Sequence, residues 1–176
     1  MTNLTADQTA QLIQLLEAYI AAQRVKYRSE AQPLSPQIKV GLSQFFGAGV
    51  LDATYLLELQ EGWIAEPEFY PALKTMGFTT LPDFASLQAI TFIDTVVSRG
   101  AIPQDTLFHE LVHVEQYRQL GLHRFAELYA TGFLACGSYY MIPLELHAYY
   151  LQAIHSCGKV FSVEDSFATE ISKGRM

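Results

Sequence analysis

Thr106-Leu-Phe-His-Glu-Leu-Val-His-Val-Glu-Gln-Tyr-Arg-Gln-Leu120 is the stretch on which the reading of this chain turns. Asp105 before it can serve as an N-cap and Gly121 after it as a stop, so the sequence predicts a helix from about 106 to 120. His109 and His113 are four residues apart and therefore stand one above the other on one helix face, where both imidazoles can reach a single ion. Glu110 is turned to the side of that pair. Zn2+ held by neutral imidazoles keeps a position open for water, lowers the pKa of that water to roughly 7, and needs a neighbouring carboxylate to move its proton. Glu110 is the expected general base. The competing reading is two ordinary histidines on a helix, but two apolar residues between them, an uncharged approach and a strand upstream all agree with a site.

The elements around this helix follow from periodicity and punctuation. Thr5-Ala-Asp-Gln8 has the form of a capping box, and Leu12, Leu16, Tyr19 and Ala22 recur at helical spacing, predicting a first helix near 6–27. Ser35 and Pro36 open a second, expected to end at Gly47, with Ile38, Leu42, Phe45 and Phe46 as its apolar face. The segment 51–59 fits helix or strand, and 62–84, with three prolines and two glycines, reads as a variable region where a substrate-facing loop could sit. Residues 89–98, Ala-Ile-Thr-Phe-Ile-Asp-Thr-Val-Val-Ser, are rich in β-branched side chains and make the best strand. Helices near 122–135 and 143–156 follow, then a tail over 158–176. The fold class expected is α+β, mainly helical, with a small sheet whose edge strand precedes the motif helix.

Composition narrows the function. A chain of 176 residues, half of them hydrophobic, suits one domain with a sizeable core. A net charge of −7 with scattered Lys and Arg argues against nucleic acid as a partner. Cys136 and Cys157 are too few for a disulfide framework and are expected to be free and buried. The uncharged run 128–144 is broken by Gly132, Gly137 and Pro143 and is read as two packed segments, not a membrane span. Polar opening residues that include Asp7 make the cytoplasm the expected location.

A third metal ligand must come from elsewhere. His123 lies ten residues beyond His113 and past the Gly121 stop, so a surface position suits it better. Within Ile142-Pro-Leu-Glu-Leu-His-Ala-Tyr149 both Glu145 and His147 could ligate, but two positions on a helix are about 200° apart, so only one of them can face the ion. His109-Glu-Leu-Val-His-Val-Glu-Gln-Tyr117 and Pro143-Leu-Glu-Leu-His-Ala-Tyr149 together resemble the gluzincins, and more narrowly small bacterial zincin-like proteins with HELVHVEQY followed by PLExxAY. The resemblance covers about 103–152. It implies a zincin-like metallopeptidase fold, one zinc ion on His109, His113 and Glu145, Glu110 as base, a peptide or protein substrate, and Ala148 as a small residue at a close helix approach. Metzincins are excluded, because Gln116 and Gln119 stand where that class carries Gly and His.

Two departures from the pattern matter. Glu115 occupies a place that is usually hydrophobic, and Tyr149 one where many gluzincins carry an aspartate that orients a ligand histidine. A donor to the developing oxyanion is also required, and Tyr139, Tyr140, Tyr149, Tyr150 and His155 are the candidates. A Cys157–His155 nucleophile pair is disfavoured by its two-residue spacing on one element. The rival to catalysis is a metal-binding scaffold that keeps the ligands without turnover.

Overall fold

The computed structural model describes residues 4–62, 64–78 and 80–176. Helix α1 (Ala6–Arg28) starts on the expected capping box: Thr5 Oγ1 accepts from Gln8 N at 3.2 Å while Gln8 Oε1 accepts from Thr5 N at 2.8 Å. Strand β1 (Gln32–Pro33) leads to α2 (Pro36–Leu42), capped by Ser35. The predicted end at Gly47 is five residues late. Gly47 instead occupies the N-cap position of a short helix, α3 (Ala48–Leu51), and the ambiguous segment resolves into the end of α3 and strand β2 (Tyr55–Leu59). The described residues of 62–84 are largely irregular around α4 (Tyr70–Thr75).

The strand expected over 89–98 is a hairpin, β3 (Ala89–Phe92) and β4 (Thr95–Arg99), turning at Ile93-Asp94. Two-residue hairpin turns demand positive φ, which β-branched residues rarely adopt; Ile93 nevertheless sits at φ 63°. Asp94 is clamped by Arg24 Nε and Nη2 at 2.9 and 2.6 Å. The sheet is mixed, in the order β1-β2-β4-β3, with β4 parallel to β2 and antiparallel to β3. The architecture is thus α+β with more helix than strand. β3 forms an edge and packs against the motif helix, while β4 is interior and runs directly into it.

Helix α5 (Gln104–Cys136) contains the motif and is broken at Gly121, whose φ of 72° and ψ of 167° end one helix at a kink before the next begins. The predicted stop is where the sequence puts it. Asp105 is not the cap, because the helix begins two residues earlier than expected, at Gln104 behind Pro103; it lies in the first turn, 3.5 Å from His155 Nδ1, where it still complements the helix dipole. After a 3-10 turn at Tyr139–Met141, α6 (Pro143–Ser156) packs along α5. Residues expected to form a tail contain α7 (Val163–Ser172), which buries Val163 and Phe167. Among the described residues no helix is long and apolar enough to cross a membrane. Cys136 and Cys157 are free but exposed, correcting the expected burial: each falls at the end of a helix that terminates at the surface.

Two apolar clusters meet at α5. Leu107, Phe108, Leu111 and Val112 pack with Leu42, Phe45, Phe46 and Ala148, whereas Tyr117, Phe125 and Ala126 pack with α1, β3 and Phe167. Phe108, next to the first histidine, is fully buried in an aromatic cage of Phe45, Phe46, Phe161 and the His155 ring stacked at 4.1 Å. Truncating such a ring loses its transfer free energy and leaves a void, so Phe108→Ala should destabilise the fold by about 3–5 kcal/mol, read as a lower urea midpoint with an unchanged m-value.

Candidate metal centre

His109, His113 and Glu145 come together as one buried group, with relative exposures of 6%, 6% and 2%. α5 supplies the two imidazoles from one face and α6 brings Glu145 in its first turn. The His109 and His113 Nε2 atoms are 3.1 Å apart, and Glu145 Oε2 lies 3.3 and 3.5 Å from them. Tetrahedral zinc with ligand bonds of about 2.0–2.2 Å requires donor atoms roughly 3.3–3.6 Å apart. The triangle is therefore of the right size for one ion. Glu145 Oε2 is also buried without a hydrogen bond, although its partner oxygen is satisfied by Tyr129 Oη at 3.0 Å. A buried anionic oxygen in this position is costly unless a cation meets it, either a proton carried by the neighbouring His113 or a metal ion.

Both ring nitrogens that face away from the triangle are held. His113 Nδ1 donates to Gln116 Oε1 at 2.8 Å, and Gln116, fully buried, donates from Nε2 to Leu144 O at 3.0 Å. His109 Nδ1 is 3.2 Å from Gln152 Oε1. Two glutamine carbonyls thus fix the tautomers that leave Nε2 free to ligate. They do the work for which Tyr149 lacks a carboxylate. Neither glutamine is singled out by the sequence, because glutamine on a helix reads as surface polarity until the packing partner is known. Tyr149 instead lies beside the His109 ring, centroids 4.4 Å apart.

The alternative ligands point elsewhere. His147 turns towards α7, with Nε2 3.2 Å from Ser166 Oγ, and burial lowers its imidazole to about 4. His123 is exposed and pairs with Glu17 at 2.6 Å. Glu115, the unexpected charge on the motif helix, is buried but paired through both oxygens with Arg118 at 2.8 and 2.9 Å and accepts from Gln119 at 2.6 Å. Its role is structural. Ala148 is fully buried between the helices.

Glu110 accepts at Oε2 from Thr91 Oγ1 of β3 at 2.7 Å, and the same hydroxyl is 3.1 Å from the Glu110 carbonyl oxygen. Glu110, His113, Glu145 and Tyr139 border a cavity of about 80 Å3. The 62–84 region contributes Pro67, Tyr70, Pro82 and Phe84 to its walls and is tied to α1 by Tyr19 Oη donating to Ala65 O at 2.6 Å. Of the expected oxyanion donors, Tyr139 lines the cavity, and Tyr149, 40% exposed, lies beside the His109 ring. Burial and then the Glu145 charge raise both phenols, Tyr149 to about 12, so they stay protonated at neutral pH. Tyr140 and Tyr150 are exposed, and His155 is occupied with Phe108, which leaves no pair with Cys157. Tyr129 was not anticipated; it lies on the helix after Gly121, whose angle to the motif the sequence does not reveal.

No family model, curated protein or solved structure matches the chain. The likeness to gluzincins rests on its motif residues.

The protonation of the site sets its response to pH. Burial lowers the His113 imidazole, but the Glu145 carboxylate outweighs it and raises the group to about 9. Burial pushes Glu145 up, yet His113 and His109 hold it well below the usual carboxylate range. In the metal-free protein a proton on His113 therefore competes with an ion. The apparent zinc association constant should rise about tenfold per pH unit between pH 6 and 8, measured with a competing chelator. Metal-free stability should move oppositely: a raised histidine pKa contributes fully below about 6.5 and its contribution is lost as pH rises through about 9. Gln116→Leu should weaken zinc binding by roughly 10–100-fold at constant pH.

Proposed function

We propose that this chain is a zinc-dependent hydrolase of amide bonds, a metallopeptidase in the first instance, with His109, His113 and Glu145 holding the ion and Glu110 as the general base. The observation that carries the reading is the donor triangle of 3.1, 3.3 and 3.5 Å with Glu110 on the same cavity wall. When bound, zinc supplies Lewis acidity towards the scissile carbonyl and acidifies a water.

The protein's own groups supply the rest. Thr91 holds Glu110 Oε2, leaving Oε1 to take a proton from the attacking water and return it to the departing amine. Tyr139, on the cavity wall and protonated at neutral pH, is the group that would donate to negative charge as it develops on the carbonyl oxygen, with Tyr149 at the exposed side of His109 as a second donor. Gln116 and Gln152 keep the imidazoles in ligating orientation. The apolar walls limit water and strengthen each of these electrostatic contacts.

A second reading, a metal-binding scaffold without catalysis, is favoured by the low exposure of the group, since none of His109, Glu110, His113 or Glu145 exceeds 6%. The two separate on one variant. Glu110→Gln should retain zinc while kcat on a mixed peptide library falls by about 10^2–10^4. Equal turnover by wild type and Glu110→Gln would contradict the mechanism, and zinc-loaded wild type inert towards the whole library would favour the scaffold.

A further inference from the structure

The cavity beside the metal group is chemically one-sided. Past Glu110, His113, Glu145 and Thr91 its walls are apolar or aromatic, with Leu16 and Ile20 from α1, Phe84 from the variable region and Ile90 from β3. Among the described residues that line it, none is Lys or Arg. Beyond the reach of the ion that His113 and Glu145 would hold, a carboxylate side chain in this space meets Glu110 and no Lys or Arg. An ammonium or guanidinium passing beyond Glu110 and Glu145 loses water among Leu16, Ile20 and Phe84 and meets no further carboxylate. Burying either charge unpaired costs several kcal/mol. Size is also restricted: a cavity of roughly 150 Å3 lined by aliphatic and aromatic residues holds benzene, so about 80 Å3 suits a smaller, branched aliphatic group.

We infer that this cavity is a side-chain pocket that takes an uncharged branched aliphatic group adjacent to the bond cleaved, and that Leu16, Ile20, Phe84 and Ile90 set its size limit. The inference rests on the hydrolase reading and gives it a substrate class: amides carrying an isopropyl or isobutyl group, with no free carboxylate on that side. Two of the limiting residues belong to α1, outside the motif region, so selectivity is built by the part of the chain that shows no resemblance to known hydrolases.

Binding and turnover test this separately. Zinc-loaded wild type would be titrated by calorimetry with isovaleramide, succinamate and indole-3-acetamide, and the same protein assayed on peptides varied between Val, Leu, Trp, Asp and Lys at each position. Isovaleramide should bind at least tenfold more tightly than the other two. Leu16→Phe, or Ile20→Phe if the first folds poorly, should weaken isovaleramide at least tenfold with zinc content unchanged. Succinamate binding as well as isovaleramide, or isovaleramide binding that ignores both filling variants, would overturn the pocket. Hydrolysis without preference for Val or Leu would overturn the pocket while leaving the hydrolase reading intact; selective isovaleramide binding with no turnover of any amide would leave the pocket standing and remove the hydrolase reading.

Discussion

Moving a carboxylate out of water is among the most expensive steps in folding, and Glu145 is 2% exposed in a mostly apolar helix. It is tolerated because α5 turns two imidazoles towards it and because Tyr129 bonds one of its oxygens. Much of the surrounding structure serves that meeting. Phe108 anchors the motif helix in an aromatic cage, and Ala148 leaves room for α6 to lie close. Gln116 joins the two helices by holding His113 with one atom and the Leu144 carbonyl with the other. The break at Gly121 lets Phe125 and Tyr129 return over the site, with Tyr117 stacked on Phe125 at 3.6 Å.

The parts of this arrangement that were legible in the sequence are those governed by local rules. Histidines four apart must share a helix face whatever the fold, and the capping box at Thr5 and the stop at Gly121 act within a few residues. Glu145 could be singled out over His147 only by likeness to a known motif, and the structure supplies the physical reason: Glu145 faces α5 and His147 faces α7.

What stayed hidden depends on tertiary context. The hairpin within 89–98 turns at an isoleucine, which carries no turn signal; the clamp of Arg24 on Asp94 joins residues seventy positions apart. Gln116 and Gln152 matter only because the imidazoles lie beside them, whereas α7, with Ser162 as N-cap and Val163, Phe167 and Ile171 at helical spacing, carries a local helix signal that the reading as a tail passes over. Glu115 looked like a flaw in a metal motif and is instead the buried half of an ion pair with Arg118.

The central claim is that the His109–His113–Glu145 group holds one metal ion, and metal content tests it most directly. Protein purified without chelator or His-tag would be analysed by plasma mass spectrometry alongside His113→Ala and Glu145→Ala. The account predicts zinc near stoichiometry in the wild type and its loss from both variants. Wild type that stays metal-free when zinc is offered, or a Glu145→Ala protein that binds zinc as tightly as wild type, would contradict it.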